Sequence, residues 1–528
     1  MNLITDPWIP VLRASGKVEN IAPWQITESQ DLIIRLASPR HDFDGALIQF
    51  LIGLLQTTAA PKSGKQWDGW LNKPPTPEQL KACFSSDQKA FEIEGEGPCF
   101  MQDFEPIAGD KKLISGLMIE APGNRTATLF LDHFVKSGSC KGICPCCAAT
   151  ALFALQTNAP SGGAGHRTSL RGGGPLTTLV IPDTAAEYAL PDTLWSTVWL
   201  NVLEQSIFDG GNTHNEAEDI FPWLAKTRTS EAKTGQSTTP IDANPLQMFW
   251  AMPRRIRLDW QDTSQGSCDL CNAKNQRLIT HFVTKNYGVN YEGAWQHVLS
   301  PHYLDKKSKA YLPLHAQPGG LAYRYWLALT QGDDQYLAAK VVRTYQGSEG
   351  RKRADEQFRL WIFGYDMDNM KARCWYEKQY PLVLIEDEAK RTAFCERIAE
   401  MVMLATQVAG FVQSCVKDAW FSRPADARGD TGFLKEAFFE QSEADFLQLM
   451  HILQNTEIGD TQRTIVQEWH GQLVRHALKL FDYWAAQGSI SVENPRRIAG
   501  AYRKLCNLLY GKKLLGSLGV KLNKERAG

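Results

Sequence analysis

Cys144-Pro145-Cys146-Cys147, running through an apolar segment into Ser161-Gly-Gly-Ala-Gly-His-Arg-Thr-Ser-Leu-Arg-Gly-Gly-Gly174, constrains this chain more than any other segment. A second Cys-x-x-Cys, Cys268-Asp-Leu-Cys271, stands far downstream in a polar knuckle. Two thiolates three residues apart on a tight turn reach one ion, and four complete the closed tetrahedral site of structural zinc, leaving no position for a substrate. The gap between the pairs exceeds that of compact zinc modules, so such an ion joins distant segments instead of folding a finger. Cys140 and Cys146 crowd the first pair and compete as ligands, and a redox-active Cys-x-x-Cys is the enzymatic alternative.

The glycines after the first pair need a reason, because each loses more backbone freedom on folding than any other residue. No Gly-Lys-Ser/Thr follows, and a strict Gly-x-Gly-x-x-Gly fails at Thr168, so this is not a phosphate-binding P-loop. A glycine surface flanked by Arg167 and Arg171 can instead enter a narrow groove and contact phosphates or base edges. A plain connector to the strand beginning at Leu176 is the competing reading.

A chain of 528 residues with 43% hydrophobic content buries a large core in two or more domains. No basic stretch with an apolar signal core opens the chain. Its longest apolar run, Ala46–Leu55, is interrupted by Gln49 and Gly53 and is too short for a bilayer, so we expect no membrane partner and a cytoplasmic location. A net charge of −1 argues against a protein that grips nucleic acid over its whole surface. From Pro495 onward, however, nine Lys or Arg face a single acid, Glu525.

The chain before about Asp387 is rich in Trp, Pro and Gly, with β-like runs such as Leu176–Ile181 and Leu337–Val342. A Lys-, Thr- and Ser-rich segment between about Ala225 and Asn244 reads as a surface loop. Beyond it the period becomes helical: Phe394, Ile398, Val402, Ala405, Val408, Val412 and Val416 form one stripe, and Ile465, Trp469, Leu473, Ala477, Leu480 and Trp484 another. Further helices near Gly432–Leu453 and Asn494–Tyr510, the last with Asn494 as N-cap and Pro495 at its first position, complete an antiparallel four-helix bundle. The fold class is therefore α+β: a mixed α/β domain with a structural zinc site over 1–386, then an all-α bundle over 387–528. On the last helix Arg496, Arg497, Arg503 and Lys504 flank the apolar face, where a phosphate backbone can lie.

Several elements together carry a family resemblance: Leu3-Ile-Thr-Asp-Pro-Trp-Ile-Pro-Val11, Ser38-Pro-Arg-His-Asp42, Phe100-Met-Gln102, both cysteine pairs, the glycine loop, and Gly364-Tyr-Asp-Met-Asp-Asn-Met-Lys-Ala-Arg373. In this order, and over essentially the whole chain, they resemble the CasA family, large subunits of the type I-E CRISPR surveillance complex Cascade. The resemblance implies a non-enzymatic subunit that reads the protospacer-adjacent motif (PAM) of double-stranded DNA from the minor groove, wedges the duplex open, helps hold the displaced strand and recruits a helicase-nuclease. Its partners would be the other Cascade subunits, crRNA and target DNA.

By the same resemblance the glycine loop of the family maps onto Ser161, Gly162, Gly163 and Ala164, and its wedge onto Asp368 and Asn369. A groove-contacting lysine falls at Lys285 or Asn286, a basic pair beside the DNA at Lys306 and Lys307, and a loop touching the complex and the crRNA at Phe130, Leu131 and Asp132. Ser161, Ala164 and Asn369 depart from residues that some relatives carry. Asp368 can accept a bond from the guanine amino group, the one donor the minor groove offers.

A zinc deaminase needs His-x-Glu followed by Pro-Cys-x-x-Cys, and neither element is present in that form. Asp366 and Asp368 as magnesium ligands of a nuclease compete with their role as hairpin residues. A zinc-stapled RNA-binding scaffold would keep the cysteines and the basic helix but leave the hairpin unexplained.

Overall fold

The computed structural model describes residues 1–121, 140–163, 165–184, 190–209, 214–346, 351, 357–368, 370–426, 429–485 and 494–517. The expected sites at Phe130, Leu131, Asp132, Ala164 and Asn369 lie outside them.

The chain divides into two units. The first comprises Met1–Ala316, Asp334–Thr344 and Arg351–Leu382. Its centre is helix α1 (His41–Thr58), apolar almost all round and buried along most of its length, as a helix enclosed on every side must be. Phe50 is the hub: the rings of Trp8, Phe91, Phe100, Phe153 and Trp250 meet it edge to face at 5.1–5.9 Å. Helix α2 (Pro145–Asn158) packs beside α1.

Small sheets surround this pair. Strands β1 (Ile9–Arg13), β2 (Val18–Ile21) and β3 (Ile33–Leu36) form one, in the order β2-β1-β3. β4 (Asp110–Leu113), β6 (Arg255–Leu258) and β9 (His281–Lys285) form another, in the order β4-β9-β6, and β7 (Thr263–Gly266) pairs with β8 (Gln276–Ile279) as a hairpin. A long hairpin, β10 (Phe358–Asp368) and β11 (Lys371–Leu382), adds to β5 (Thr177–Pro182). The run Leu337–Val342 is not the expected strand: only Tyr336–Leu337 is extended, and Lys340–Arg343 turns into a helix that buries Val341 and Val342. β-branched residues at such short spacing fit either state once buried.

The second unit comprises Gln317–Asp333, Tyr345–Gly350 and Val383–Gly528. Helices α3 (Glu388–Trp420), α4 (Phe433–Gln454), α5 (Asp460–Ala485) and α6 (Pro495–Leu509) follow the expected stripes. Lys390 pairs with Glu457 at one end, and the Trp420 indole donates to the Trp484 carbonyl (2.8 Å) at the other, so α3 and α5 run the same way and α4 returns between them. Helix α3 is long and apolar enough to cross a membrane by length and composition; here its apolar stripe is buried against α4, α5 and α6. Gln317–Asp333 joins these helices because Tyr323 stacks on Phe446 (4.2 Å) and bonds Ser442 Oγ (2.9 Å), while Trp326 meets Phe394 (6.0 Å).

Candidate nucleic-acid interface and cysteine knot

Cys144 is the N-cap of α2, with Pro145 at the first helical position and Cys147 one turn in, so both sulphurs emerge on one side. Cys268 and Cys271 lie in the turn of the β7–β8 hairpin, where Asn272 and Asn275 take left-handed conformations (φ 59° and 56°) that Asn tolerates better than most residues. Within this turn the Asn272 N–H donates to the Cys268 carbonyl and the Cys268 N–H to the Ala273 carbonyl, both at 2.9 Å. Backbone sews the two turns together. Ile143 and Ile279 exchange bonds of 3.1 and 2.9 Å, and the Asp269 carboxylate accepts from the N–H groups of Lys141 (2.6 Å) and Gly142 (2.9 Å).

The four sulphurs consequently lie within 4.8 Å of one another, three buried and Cys271 exposed. Cys144 and Cys271 are 3.7 Å apart. A tetrahedron with metal–sulphur bonds of about 2.3 Å has edges of about 3.8 Å, so the set fits a zinc-sized ion. A hydrogen bond from Cys147 holds the Cys271 thiol down at about 7, while bonds with Cys144 first, then Cys268 and Cys271, push Cys147 up. Cys140 and Cys146 stand outside this group, with Cys146 Sγ beside Met1 Sδ and Asn20 Nδ2, each at 3.9 Å.

α2 leads from the knot to the glycine loop. The loop closes on itself through Gly162 N–H to the His166 carbonyl (3.1 Å) and His166 N–H to the Gly163 carbonyl (2.8 Å), with Gly163 at φ 64°. A Cβ at Gly162 would lie 2.5 Å from that of His166, and one at Gly165 would lie 2.7 Å from the Tyr287 ring. These two glycines are therefore required by the fold. Gly163 differs in having room, since a Cβ there would meet only Met370 Sδ, at 3.8 Å, although its positive φ still disfavours a side chain.

The flanking arginines do not behave as expected from the sequence. Arg171 is buried, donating to Thr177 Oγ1 and Ser300 Oγ (3.1 Å each) and to Gln49 Oε1, and burial pulls its pKa down to about 9. Arg167 is tied to Ser230 through its side-chain oxygen (2.8 Å) and carbonyl (3.3 Å). Arg171 is thus a core residue, shielded from any nucleic acid, and Arg167 braces the segment that follows Ala225.

Tyr287 couples the loop to the next candidate. It holds φ 62°, rare for a bulky residue; its N–H donates to the Gly165 carbonyl (2.8 Å) and its carbonyl accepts from Ser230 (3.2 Å). The preceding Lys285, exposed at the end of β9, and Asn286 line an open groove of about 660 Å³ that Glu231 and Lys233 also border. A separate cleft of about 600 Å³ is bordered by Ser161, Gly162 and His166, by Lys111, Lys112 and Thr284, and by Arg254 and Met370. Among the described residues Arg254 has no carboxylate partner; burial lowers its pKa to about 10, and burial together with the Arg254 charge lowers that of His166. Sequence reasoning missed Tyr287 and Arg254, since neither positive φ in a tyrosine nor burial of an arginine leaves a pattern in the chain.

The β10–β11 hairpin puts Asp368 opposite Lys371 at its tip, with Met370 between them 53% exposed. Arg373 grips the buried Asp366 through two bonds (2.7 and 3.0 Å) and lies 4.0 Å from Asp368, so Asp366 is a structural anchor. Lower down, the Tyr365 hydroxyl donates to Asp42 (2.5 Å), which Arg40 also holds (2.9 Å) along with Glu120 (2.7 Å).

Lys306 and Lys307 are exposed in the turn between Leu304 and Tyr311, are not among the residues that border the cleft, and have no carboxylate partner among the described residues. On α6 the basic residues differ in role. Arg497 donates to the carbonyls of Ala419 (2.8 Å) and Trp420 (3.2 Å), capping the end of α3, and Lys504 pairs with Asp418 (2.6 Å). Arg496 and Arg503 are exposed, without a carboxylate partner among the described residues.

A mixed α/β unit followed by a bundle of long helices is the fold that this chain shares with a class of CRISPR-associated proteins. Within that class the chain belongs to the family described as CRISPR-associated protein Cse1, whose model matches residues 2–480. The structure of Thermobifida fusca Cse1 is similar at TM-score 0.68 and 16% identity, covering 98% of this chain and 99% of that one. Thermus thermophilus CasA has TM-score 0.67 at 15% identity over 96% and 99% of the two chains. A chain of a CRISPR RNA-guided surveillance complex has TM-score 0.68 at 13% identity over 97% and 99%.

Proposed function

We propose that this chain is the non-catalytic large subunit of a type I-E Cascade complex and reads the PAM of double-stranded DNA through the minor groove. The observation that carries this reading is the proximity of three elements: the glycine loop, the Lys285–Asn286 turn tied to it through Tyr287, and the hairpin tip that reaches it at Met370. A slim backbone surface, a lysine and an amide suit a groove whose code is degenerate, and a complex that leaves sequence specificity to RNA pairing.

The hairpin then opens the duplex beside the motif, and the unstacking cost of a few kcal/mol is offset by groove contacts and guide pairing. Arg496 and Arg503 contact the displaced strand. Membership of the Cse1 family supports crRNA and the other Cascade subunits as partners; the reading adds a helicase-nuclease partner, a role in antiviral defence and the cytoplasm as the compartment. Cys144, Cys147, Cys268 and Cys271 would hold a structural zinc ion, which supplies cross-linking of the two turns and, with four thiolates, leaves no position for a reacting group.

The test is a pair of variants, Gly163→Ala and Lys285→Ala with Asn286→Ala, in the reconstituted complex. Both should weaken binding to motif-bearing duplexes at least about tenfold while leaving residual binding to motif-free duplexes intact. Equal loss on both kinds of duplex would contradict groove reading.

A further inference from the structure

Hairpin turns favour Gly, Asn and Asp, whose side chains are small or bond their own backbone. In the β10–β11 hairpin, Met370 occupies the position before Lys371, and more than half of its surface is exposed. It does not fill an irregular gap in a core, which is the usual use of an unbranched thioether. Its sulphur instead stands over Gly163, the loop glycine whose Cβ direction is otherwise open, and the side chain borders the cleft with Ser161 and Gly162.

The charges of the hairpin tip itself balance. Asp366 is neutralised by Arg373, which also approaches Asp368, and Lys371 follows directly. The most exposed apolar group of the tip is therefore carried on a neutral mount that a phosphate backbone would not repel. An apolar, flexible and polarisable side chain on a rigid two-stranded arm has the properties of a wedge between base pairs, where methionine is one of the residues that serves.

We propose that Met370 is the side chain that enters the base stack beside the motif, with Gly163 leaving room for the duplex to seat against it. Asp368 then faces the groove edge and contributes to motif choice, and the two functions of the tip are divided between two residues. The inference rests on the hairpin being a duplex-opening element, as proposed above.

The test uses the reconstituted complex with crRNA and a target duplex carrying 2-aminopurine at the base pair next to the motif. Binding of the wild-type complex should raise the fluorescence as that base unstacks. Met370→Ala should slow the rise about tenfold with the ranking of motifs preserved, and Met370→Leu should restore most of the rate. Because Met370 is exposed, thermal stability and metal content of both variants should match wild type. An alanine variant as fast as wild type, or a leucine variant as slow as alanine, overturns the proposal. A wild-type complex that binds without regard to motif overturns the underlying reading instead, and is seen before any variant is made.

Discussion

Arg171 and Gly163 stand in one loop and show how far a residue's surroundings decide its role. Arg171 lies beside a glycine run and invites a phosphate-binding interpretation, yet its guanidinium is consumed by Gln49, Thr177 and Ser300 in the core. Replacing it with Met should remove three buried bonds, leaving Gln49 Oε1 only its bond from Thr177 (3.2 Å), and cost about 3 kcal/mol of stability. A urea midpoint unchanged from wild type, with DNA binding lost, would contradict a core role. His302 gives a pH signature. Burial, with the charges of Arg343 and Arg171, holds its pKa at about 4 against 6.5 in an unfolded chain. The unfolded state then takes up a proton that the folded state refuses, so its stabilising contribution is complete above pH 6.5 and is lost as pH falls toward 4. Between pH 7 and 5 the loss should be on the order of 2 kcal/mol, and His302→Gln should flatten that slope in urea titrations.

Elements differ in how much of them was legible. The long helices of the second unit were readable because a stripe sustained over several turns has one explanation, and the Asn494–Pro495 start is seen directly: the Asn494 side chain accepts from the Arg497 N–H (3.0 Å). The Leu337–Val342 run failed because five apolar residues around Lys340 fix burial but not period. The cysteine spacing pointed to ligands, but only the three-dimensional pairing of Ile143 with Ile279 separates Cys144 and Cys147 from Cys140 and Cys146. On α6, charge alone could not distinguish a cap from a contact. Arg497→Ala should uncap α3 and lower stability by about 1 kcal/mol, whereas Arg496→Glu with Arg503→Glu should leave the melting curve unchanged and weaken capture of single-stranded DNA. A fall in stability from the double variant, with none from Arg497→Ala, would reverse these assignments. At the knot, Ser at Cys144 and Cys268 should abolish bound zinc by elemental analysis and broaden unfolding of the first unit; unchanged metal content would refute the site.

For the molecule as a whole, a net charge of −1 matters as much as any motif. A subunit that gripped DNA strongly by itself would bind everywhere, while a nearly neutral one leaves affinity to a few groove contacts and can be gated by the motif. Family order was legible from scattered elements, and the structure explains why: Arg40, Asp42, Phe100, Gln102 and Tyr365 hold the scaffold together through buried contacts that sequence can match but not interpret. The placing of Gln317–Asp333 with the bundle was not legible, since Tyr323 and Trp326 meet partners more than sixty residues away. The most direct measurement is binding of the reconstituted Cascade to target duplexes with a randomised flanking motif, with and without this chain. Binding that depends on the motif only when the chain is present is the predicted result; the same motif profile in both, or none in either, would contradict it.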